Sequence, residues 1–449
     1  MCTQTNWLLG GVYSGKMLKI SLLAAAAILA TKSAADAPPG SEQSEIAGYV
    51  QEAAAICHQD DGALWGTSLC GPLLLINPGT REVFANQHDS EHQLREEGGV
   101  YLGKLPANVN VANTAVAWAG VKWTMIMLPL PEEKHRRAAL MAHEMWHRIQ
   151  EPLGLPQSGA KNDHLDTRAG RFWLQLEWRA LAAALSRTGT AEQEAITDAV
   201  TFRARRQQIF PEAAAEERSM EMNEGLAEYT GVRLSGSADL RRYVIDVELK
   251  DAPAKPTFVR SFAYATGPAY GVLLDESAPG WPTRVRRTDN LTELLAKARG
   301  IALPADLVAT ADKRAEAYAG AALAESEANR ERDRAETEKI YRARLVDGPV
   351  LVIPLQKMNM QFNPGNLIPL PGHGTVYPQI RIIDAWGVLD VTNNGALLAS
   401  DFSRVVVAAP AGISAGENVE GDGWKLHLNA GWTLRQREGE SNYAIVAAE

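Results

Sequence analysis

The sequence has 449 residues, of which 46% are hydrophobic, and a formal net charge of −9 at pH 7. A chain of this length and composition can bury a large core and is expected to form two or three domains. Its acidic balance, with no basic run beyond the short cluster at residues 203–206, argues against a nucleic-acid-binding surface.

Residues 1–37 predict an export segment. Residues 17–20, which include one lysine, are followed by an apolar run of about a dozen residues and then by small side chains, as in a secretory signal. Cleavage is expected after Ala35 or Ala37, and Met17 is a candidate for the natural start. The apolar run is short for a bilayer span. We therefore expect a periplasmic or secreted protein with no stable membrane span after signal cleavage.

Two of the three cysteines, Cys57 and Cys70, would remain in the exported protein. In an oxidising compartment such a pair is a candidate disulfide. Two unpaired buried thiols are the alternative.

Residues 38–150 are expected to form a β-sheet followed by a helix. Pro131 suits the first turn of that helix, and Pro152 ends it. The strand before the helix could border a cleft and accept an extended peptide by strand addition, or it could be an ordinary core strand. The predicted elements are a helix over residues 41–59, a hairpin over residues 73–85, and strands near residues 100–102, 115–118 and 123–128.

The helix after these strands carries His143-Glu144-Met145-Trp146-His147, an H-E-x-x-H pattern. Two histidines four residues apart project from one helix face and can reach one metal ion, and Glu144 can hold a water molecule beside that ion. The pattern therefore predicts one Zn²⁺ per chain with Glu144 as general base. A solvent-exposed amphipathic helix is the alternative, which the apolar residues around the motif disfavour.

Residues 151–310 are expected to be helical and to supply a third zinc ligand, since a catalytic zinc site needs one more protein group besides two histidines. The best candidate is Glu224, in an Asn-Glu-x-x-Ala-Glu pattern, with Glu228 one turn later as a partner for a ligating histidine. Glu177 is the rival ligand; the alternative for Glu177 is pairing with an arginine, Arg179 or one on another helix.

These two patterns together resemble the gluzincin metallopeptidases, the group that includes thermolysin and the zinc aminopeptidases. The resemblance implies a zincin-like fold, with His143, His147 and Glu224 as zinc ligands, Glu144 as general base and Glu228 as the acid that orients a ligand histidine. The 76 residues between His147 and Glu224 exceed the spacing in thermolysin-like enzymes, so extra helices are expected between the two patterns.

Peptide hydrolysis develops an oxyanion that a tyrosine or histidine can help to stabilise. Tyr264 and Tyr270 are the candidates, in a predicted loop that enters a helix at Pro268. Buried structural tyrosines are the alternative for both, and His164 is a further possibility, for which an ordinary polar loop is the better interpretation.

The C-terminal part changes in character twice. Residues 311–345 are rich in Ala, Glu and Arg and predict one long charged helix, and residues 346–449 predict a small all-β domain from their alternating segments. This domain could cap the catalytic unit or bind a partner.

The sequence as a whole predicts an α+β protein: a zincin-like unit of β-sheet, motif helix and helical subdomain, followed by an all-β C-terminal domain. The expected function is zinc-dependent hydrolysis of a peptide or protein substrate. A non-catalytic binding or structural protein of the cell envelope on the same scaffold is the alternative, and a hydrolase of non-peptide substrates is a third possibility.

Overall fold

A computed structural model describes residues 39–106, 109, 111–155, 161–362, 366–410, 418–437 and 441–447. The predicted export signal, with its cleavage sites after Ala35 or Ala37, lies outside the described residues. Over the described ranges, the chain contains no helix that is both long and apolar enough to cross a membrane.

The first part of the chain is a helix and a six-stranded sheet. The sheet order is β3-β4-β2-β1-β6-β5, and only the β1–β6 pair is parallel. The predicted hairpin is confirmed, since β1 and β2 pair with Leu75 opposite Phe84. The elements are α1 (Pro39–Asp60), β1 (Leu73–Ile76), β2 (Glu82–Ala85), β3 (Arg95–Glu97), β4 (Val100–Lys104), β5 (Thr114–Trp118) and β6 (Val121–Met127).

Two further expectations for this region are decided by the structure. Cys57 and Cys70 form the predicted disulfide. Strand β6, which precedes the motif helix, is hydrogen-bonded to β1 on one side and to β5 on the other. Because both of its edges are occupied, β6 cannot accept a peptide by strand addition, and it is the ordinary core strand of the two interpretations.

The motif helix, α2 (Lys134–Ile149), begins three residues later than predicted. Glu133 is its N-cap, and the carboxylate accepts hydrogen bonds from the backbone N–H groups of His135 and Arg136. Pro131 therefore lies outside the helix, because a side-chain cap satisfies the first free N–H groups at a later position. The helix ends before Pro152, as expected.

The middle of the chain is helical. Thr167 caps α3, and the neighbouring Asp166 carboxylate accepts hydrogen bonds from Thr257 and Phe258. The helices are α3 (Arg168–Leu185), α4 (Gly189–Ile209), α5 (Ala213–Met220), α6 (Leu226–Leu234), α7 (Leu240–Tyr243), α8 (Phe262–Ser277), α9 (Leu291–Ala298), α10 (Leu307–Ala315) and α11 (Gly320–Arg342), with π-helical turns at Glu221–Gly225, Val244–Leu249 and Ala343–Asp347 and 3₁₀ turns at Asp163–Asp166, Ala252–Ala254, Pro282–Arg284 and Glu316–Tyr318.

Two helix predictions in this region were wrong. Pro268 lies inside α8, so residues 262–267 are helical and do not form a loop. The predicted long helix over residues 311–345 is interrupted after α10, where Ala319 adopts a left-handed conformation with φ of 54°. A residue in that conformation ends one helix and lets the next begin in a new direction.

The C-terminal part is all-β, as predicted. Its strands form a seven-stranded sheet of order β17-β18-β7-β14-β13-β10-β9 and a five-stranded sheet of order β15-β16-β12-β11-β8. Buried residues alternate with exposed ones along β11 and β16, as in sheets with one covered face. We call this part the C-terminal β region. Its strands are β7 (Val350–Pro354), β8 (Asn359–Phe362), β9 (Ile368–Leu370), β10 (Gly374–Tyr377), β11 (Ile380–Asp384), β12 (Gly387–Val391), β13 (Ala396–Leu398), β14 (Arg404–Ala408), β15 (Asn418–Gly421), β16 (Trp424–Leu428), β17 (Trp432–Gln436) and β18 (Tyr443–Ala447).

Candidate metal centre

Three of the predicted zinc ligands meet in the structure. The Nε2 atoms of His143 and His147 lie 3.2 Å apart, and Glu224 Oε2 lies 3.7 Å from each of them. Two ligand atoms on one tetrahedral zinc ion are separated by roughly 3.3–3.4 Å, given metal–ligand distances of about 2.0–2.1 Å. The three atoms therefore have the spacing of groups that share one zinc ion. We call these three residues the ligand cluster.

Glu144 lies beside the ligand cluster and is almost fully buried, with 4% of its surface exposed. Its carboxylate, with the ring nitrogens of His143 and His147, forms a group whose atoms lie within 4.8 Å of one another. Glu144 Oε2 has no hydrogen-bond partner in the described part of the chain, and burial raises the pKa of this carboxyl. A buried oxygen without a partner is unusual and points to a group that the site is built to receive.

The outer ring nitrogens of both histidines are held. His143 Nδ1 lies 2.7 Å from Glu228 Oε2, and His147 Nδ1 lies 2.9 Å from Gln150 Oε1. Because a carboxylate and an amide oxygen are acceptors, each Nδ1 carries a proton, so the neutral form of each ring presents the Nε2 lone pair to the ligand cluster. Burial lowers the pKa of His143, but the carboxylates of Glu224 and Glu228 accept hydrogen bonds from the protonated ring, outweigh burial and raise this pKa. The role predicted for Glu228 matches its position, whereas Gln150 was not predicted.

Glu224 has a partner on each oxygen. Asn223 Nδ2 and Arg260 Nη2 donate to Oε1 at 3.2 and 3.0 Å, and the Tyr264 hydroxyl donates to Oε2 at 2.6 Å. Burial is outweighed by hydrogen bonds from both histidines of the ligand cluster and from Tyr264, which hold the pKa of Glu224 far below its ordinary value. Arg260 and Asn223 were missed as site residues, although Asn223 belongs to the Asn-Glu pattern.

Tyr264 is the predicted tyrosine that the structure brings to the ligand cluster. Its ring stacks on His143, with centroids 5.6 Å apart and planes 12° from parallel. Burial, followed by the negative charge of Glu224, raises the pKa of Tyr264 well above the ordinary value, so the hydroxyl stays protonated and can donate a hydrogen bond.

Tyr270 is placed elsewhere, and its predicted role at the reacting centre was wrong. Its hydroxyl is fully buried and donates to Glu177 Oε1 at 2.7 Å. The Glu177 carboxylate also accepts from Arg203 Nε at 2.8 Å and from Arg206 Nη1 at 2.7 Å. Because these three donors occupy both of its oxygens, Glu177 is not a metal ligand. It pairs with arginines on another helix, and Arg179 instead donates to the carbonyl of Tyr318.

The helices between the two motifs hold the segment that carries Glu224. Glu224 lies in the π-helical turn Glu221–Gly225, and Arg203 of α4 donates to both oxygens of Glu221 at 2.9 and 2.5 Å. In α5, Glu217 accepts from Arg206 and lies 2.9 Å from His164 Nε2. His164 thus belongs to this buried ion network and not to the ligand cluster. The helices between the two motifs therefore hold in place the turn that carries Glu224, the predicted third ligand.

Two glycines allow close contacts between the elements that carry the residues of the site. At Gly231 of α6, a side-chain carbon would lie 2.6 Å from the carbonyl oxygen of Ala139 in α2. At Gly267 of α8, such a carbon would lie within 2.5 Å of three backbone atoms of Gly225. Any other residue at these two positions would force the backbones apart, so the spacing of the site depends on both glycines.

The chain matches none of the family models, none of the curated proteins and none of the solved structures with which it was compared.

Proposed function

We propose that this protein is an exported zinc metallopeptidase with a zincin-like catalytic unit, in which His143, His147 and Glu224 hold one zinc ion. The observation that carries the proposal is Glu144, a buried carboxylate whose Oε2 has no hydrogen-bond partner among the residues that the structure describes and which lies beside three ligand atoms with the spacing of a zinc site. A purely structural zinc site has four protein ligands and no need of a base, whereas a catalytic site has three and keeps a position open.

A zinc ion held by His143, His147 and Glu224 would polarise a carbonyl and lower the pKa of a water molecule to about 7. Glu144 is placed to accept a proton from the attacking water and to pass it to the leaving amine of the peptide. Burial suits Glu144 to this exchange, because a raised carboxyl pKa brings it closer to the pH at which a base both accepts and returns a proton.

Four other side chains orient the groups of the site or stabilise the charge that develops during the reaction. Tyr264 would redirect its hydroxyl hydrogen bond from Glu224 to the oxyanion that develops on the carbonyl oxygen, next to the ligand cluster. Glu228 and Gln150 keep the two histidines in the tautomer that ligation requires. Arg260 holds the second oxygen of Glu224, which keeps that carboxylate from rotating.

The first test measures zinc content and peptide hydrolysis separately in the same variant. Glu144→Gln keeps the shape of the side chain but removes the base, so we expect about one zinc per chain and a loss of peptide hydrolysis. Hydrolysis at the wild-type rate by this variant would refute the role of Glu144.

The ligand set is tested by metal content. Glu224→Gln is expected to lower the zinc content sharply, whereas Glu212→Gln, the same charge change at an exposed position before α5, is expected to leave it at the wild-type level. Folded wild-type protein that binds no added zinc would refute the proposal. Zinc binding without cleavage of any unfolded protein or peptide would favour the alternative of a non-catalytic binding protein of the cell envelope.

A further inference from the structure

A large cavity lies between the helical part and the C-terminal β region. Its volume is about 980 Å³. One wall comes from the segment between α7 and α8 and from the start of α8; the facing wall comes from β9, β10 and the turn that joins them, with Ser400 beside them. Small-molecule sites occupy about 300–1,000 Å³, so this cavity has room for several residues of an extended chain.

The cavity adjoins two residues that contact the ligand cluster. Tyr264 and Arg260 line the cavity, and both donate hydrogen bonds to Glu224. A molecule whose reacting bond lies at the ligand cluster therefore extends into this cavity, along the face of α8.

The wall of the cavity that faces the helical part is largely apolar. The C-terminal β region contributes Leu367, Pro369, Leu370 and Pro371. The charged side chains around the cavity are balanced, with four acidic and four basic residues, so the lining as a whole favours neither sign of charge. An uncharged apolar segment gains most from such a lining, because it buries hydrophobic surface without leaving a charge unpaired.

We propose that this cavity binds the part of a peptide substrate that flanks the scissile bond, and that the C-terminal β region selects peptides with apolar side chains at those positions. This inference rests on the proposed function and assigns the C-terminal β region a direct role in substrate recognition. It deepens the expectation that this region caps the catalytic unit.

Ser400→Trp tests the inference. Ser400 is exposed on a turn at the cavity, so an indole can project into the cavity without replacing a core residue. Ser441→Trp is the matched control, since Ser441 is an exposed serine of the same region that does not line the cavity. Thermal unfolding checks that both variants are folded, and Pro371→Trp narrows the same cavity from the turn after β9.

The measurement is peptide binding to zinc-loaded protein carrying Glu144→Gln, with a library of short unstructured peptides that differ in apolar content. We expect apolar peptides to bind best and Ser400→Trp to raise their Kd roughly ten- to hundredfold, the loss that follows from excluding one large apolar side chain. Ser441→Trp is expected to leave the Kd unchanged.

The outcomes separate this inference from the proposed function. Weakened binding in Ser400→Trp, with no cleavage by the wild type, supports the cavity and refutes the peptidase. Cleavage with the same KM in Ser400→Trp and Pro371→Trp overturns the inference and leaves the peptidase standing. A preference for charged peptides, or no binding of any library member, also overturns the inference.

Discussion

The contact between Gly267 and Gly225 predicts a large functional effect from adding one methyl group. In Gly267→Ala, the new carbon would lie within 2.5 Å of three backbone atoms of Gly225, whereas non-bonded carbon atoms prefer about 3.5 Å. Because the obstacle is backbone, it cannot be relieved by a side-chain rotation. Helix α8 therefore has to move about 1 Å away from the turn that carries Glu224.

Such a movement breaks the hydrogen bond between Tyr264 and Glu224. That bond is 2.6 Å long, and a lengthening of about 1 Å takes it beyond hydrogen-bonding range. Misplacing a catalytic group by about 1 Å costs up to roughly a hundredfold in rate, so we expect kcat to fall by about that factor. Overpacking is expected to lower the free energy of unfolding by about 1–3 kcal/mol. Zinc content should hold, because α8 supplies no ligand.

The assay compares kcat, zinc content and thermal unfolding in three variants. Gly48→Ala makes the same chemical change in α1, where an added carbon would contact nothing within 4 Å, and should raise stability by about 0.5–1 kcal/mol without altering kcat. Tyr264→Phe removes the hydroxyl without overpacking and should reproduce the loss of kcat. Wild-type kcat and stability in Gly267→Ala would refute the reasoning.

Three other changes have expected outcomes. Glu228→Gln should weaken zinc binding about 10–100-fold in a chelator competition, and unchanged affinity would contradict its role. Against the effect of burial, Arg206 holds the pKa of Glu217 well below its ordinary value, so this carboxylate stabilises the fold above pH of about 4.3 and that contribution is lost as the pH falls. Glu217→Gln should lower the free energy of unfolding by about 3–5 kcal/mol at neutral pH and should make this free energy depend less steeply on pH in the acid range. A dependence as steep as that of the wild type would contradict the role of Glu217. Cys57→Ser should lower the free energy of unfolding in urea by about 3 kcal/mol, because it opens the loop that the disulfide with Cys70 closes. An unchanged free energy of unfolding would contradict this contribution.

Local patterns in the sequence were sufficient for several strands and for the two motifs that meet in the ligand cluster. The hairpin of β1 and β2 is specified by the turn residues between two apolar runs, and the alternating segments of the C-terminal β region identify its all-β character. His143 and His147 share a helix face by their spacing alone, as do Glu224 and Glu228. Each of these inferences needs only the geometry of a single element.

Properties that depend on a second element were beyond the sequence. The start of α2 was misplaced because Pro131 and Glu133 are both good N-terminal residues, and the structure uses Glu133. Arg260 acts at the site through Glu224, 36 residues earlier in the chain, and nothing local in the sequence marks it. Gln150 lies only three residues after His147, and this spacing is the signal that could have identified it.

The error at Tyr270 has a specific cause. Pro268 suggests a helix start, which places Tyr264 in a loop before it, but α8 continues through this proline. In a continuous helix, Tyr264 and Tyr270 are six residues apart and project about 120° from each other around the axis, so they cannot face one site. A continuous helix therefore brings Tyr264, and not Tyr270, to the ligand cluster.

The π-helical turn at Glu221–Gly225 also determines which insertions and deletions this chain can tolerate. In an α-helix, residues three apart share a face, yet Glu221 pairs with the buried Arg203 while Glu224 joins the ligand cluster. The wider winding of the π turn allows this divergence. Deleting one residue here would restore an α-helix and change the angle between Glu221 and Glu224 around the helix axis, so the two carboxylates could no longer reach Arg203 and the ligand cluster together. Length changes should thus be rejected within this turn, which joins α5 directly to α6.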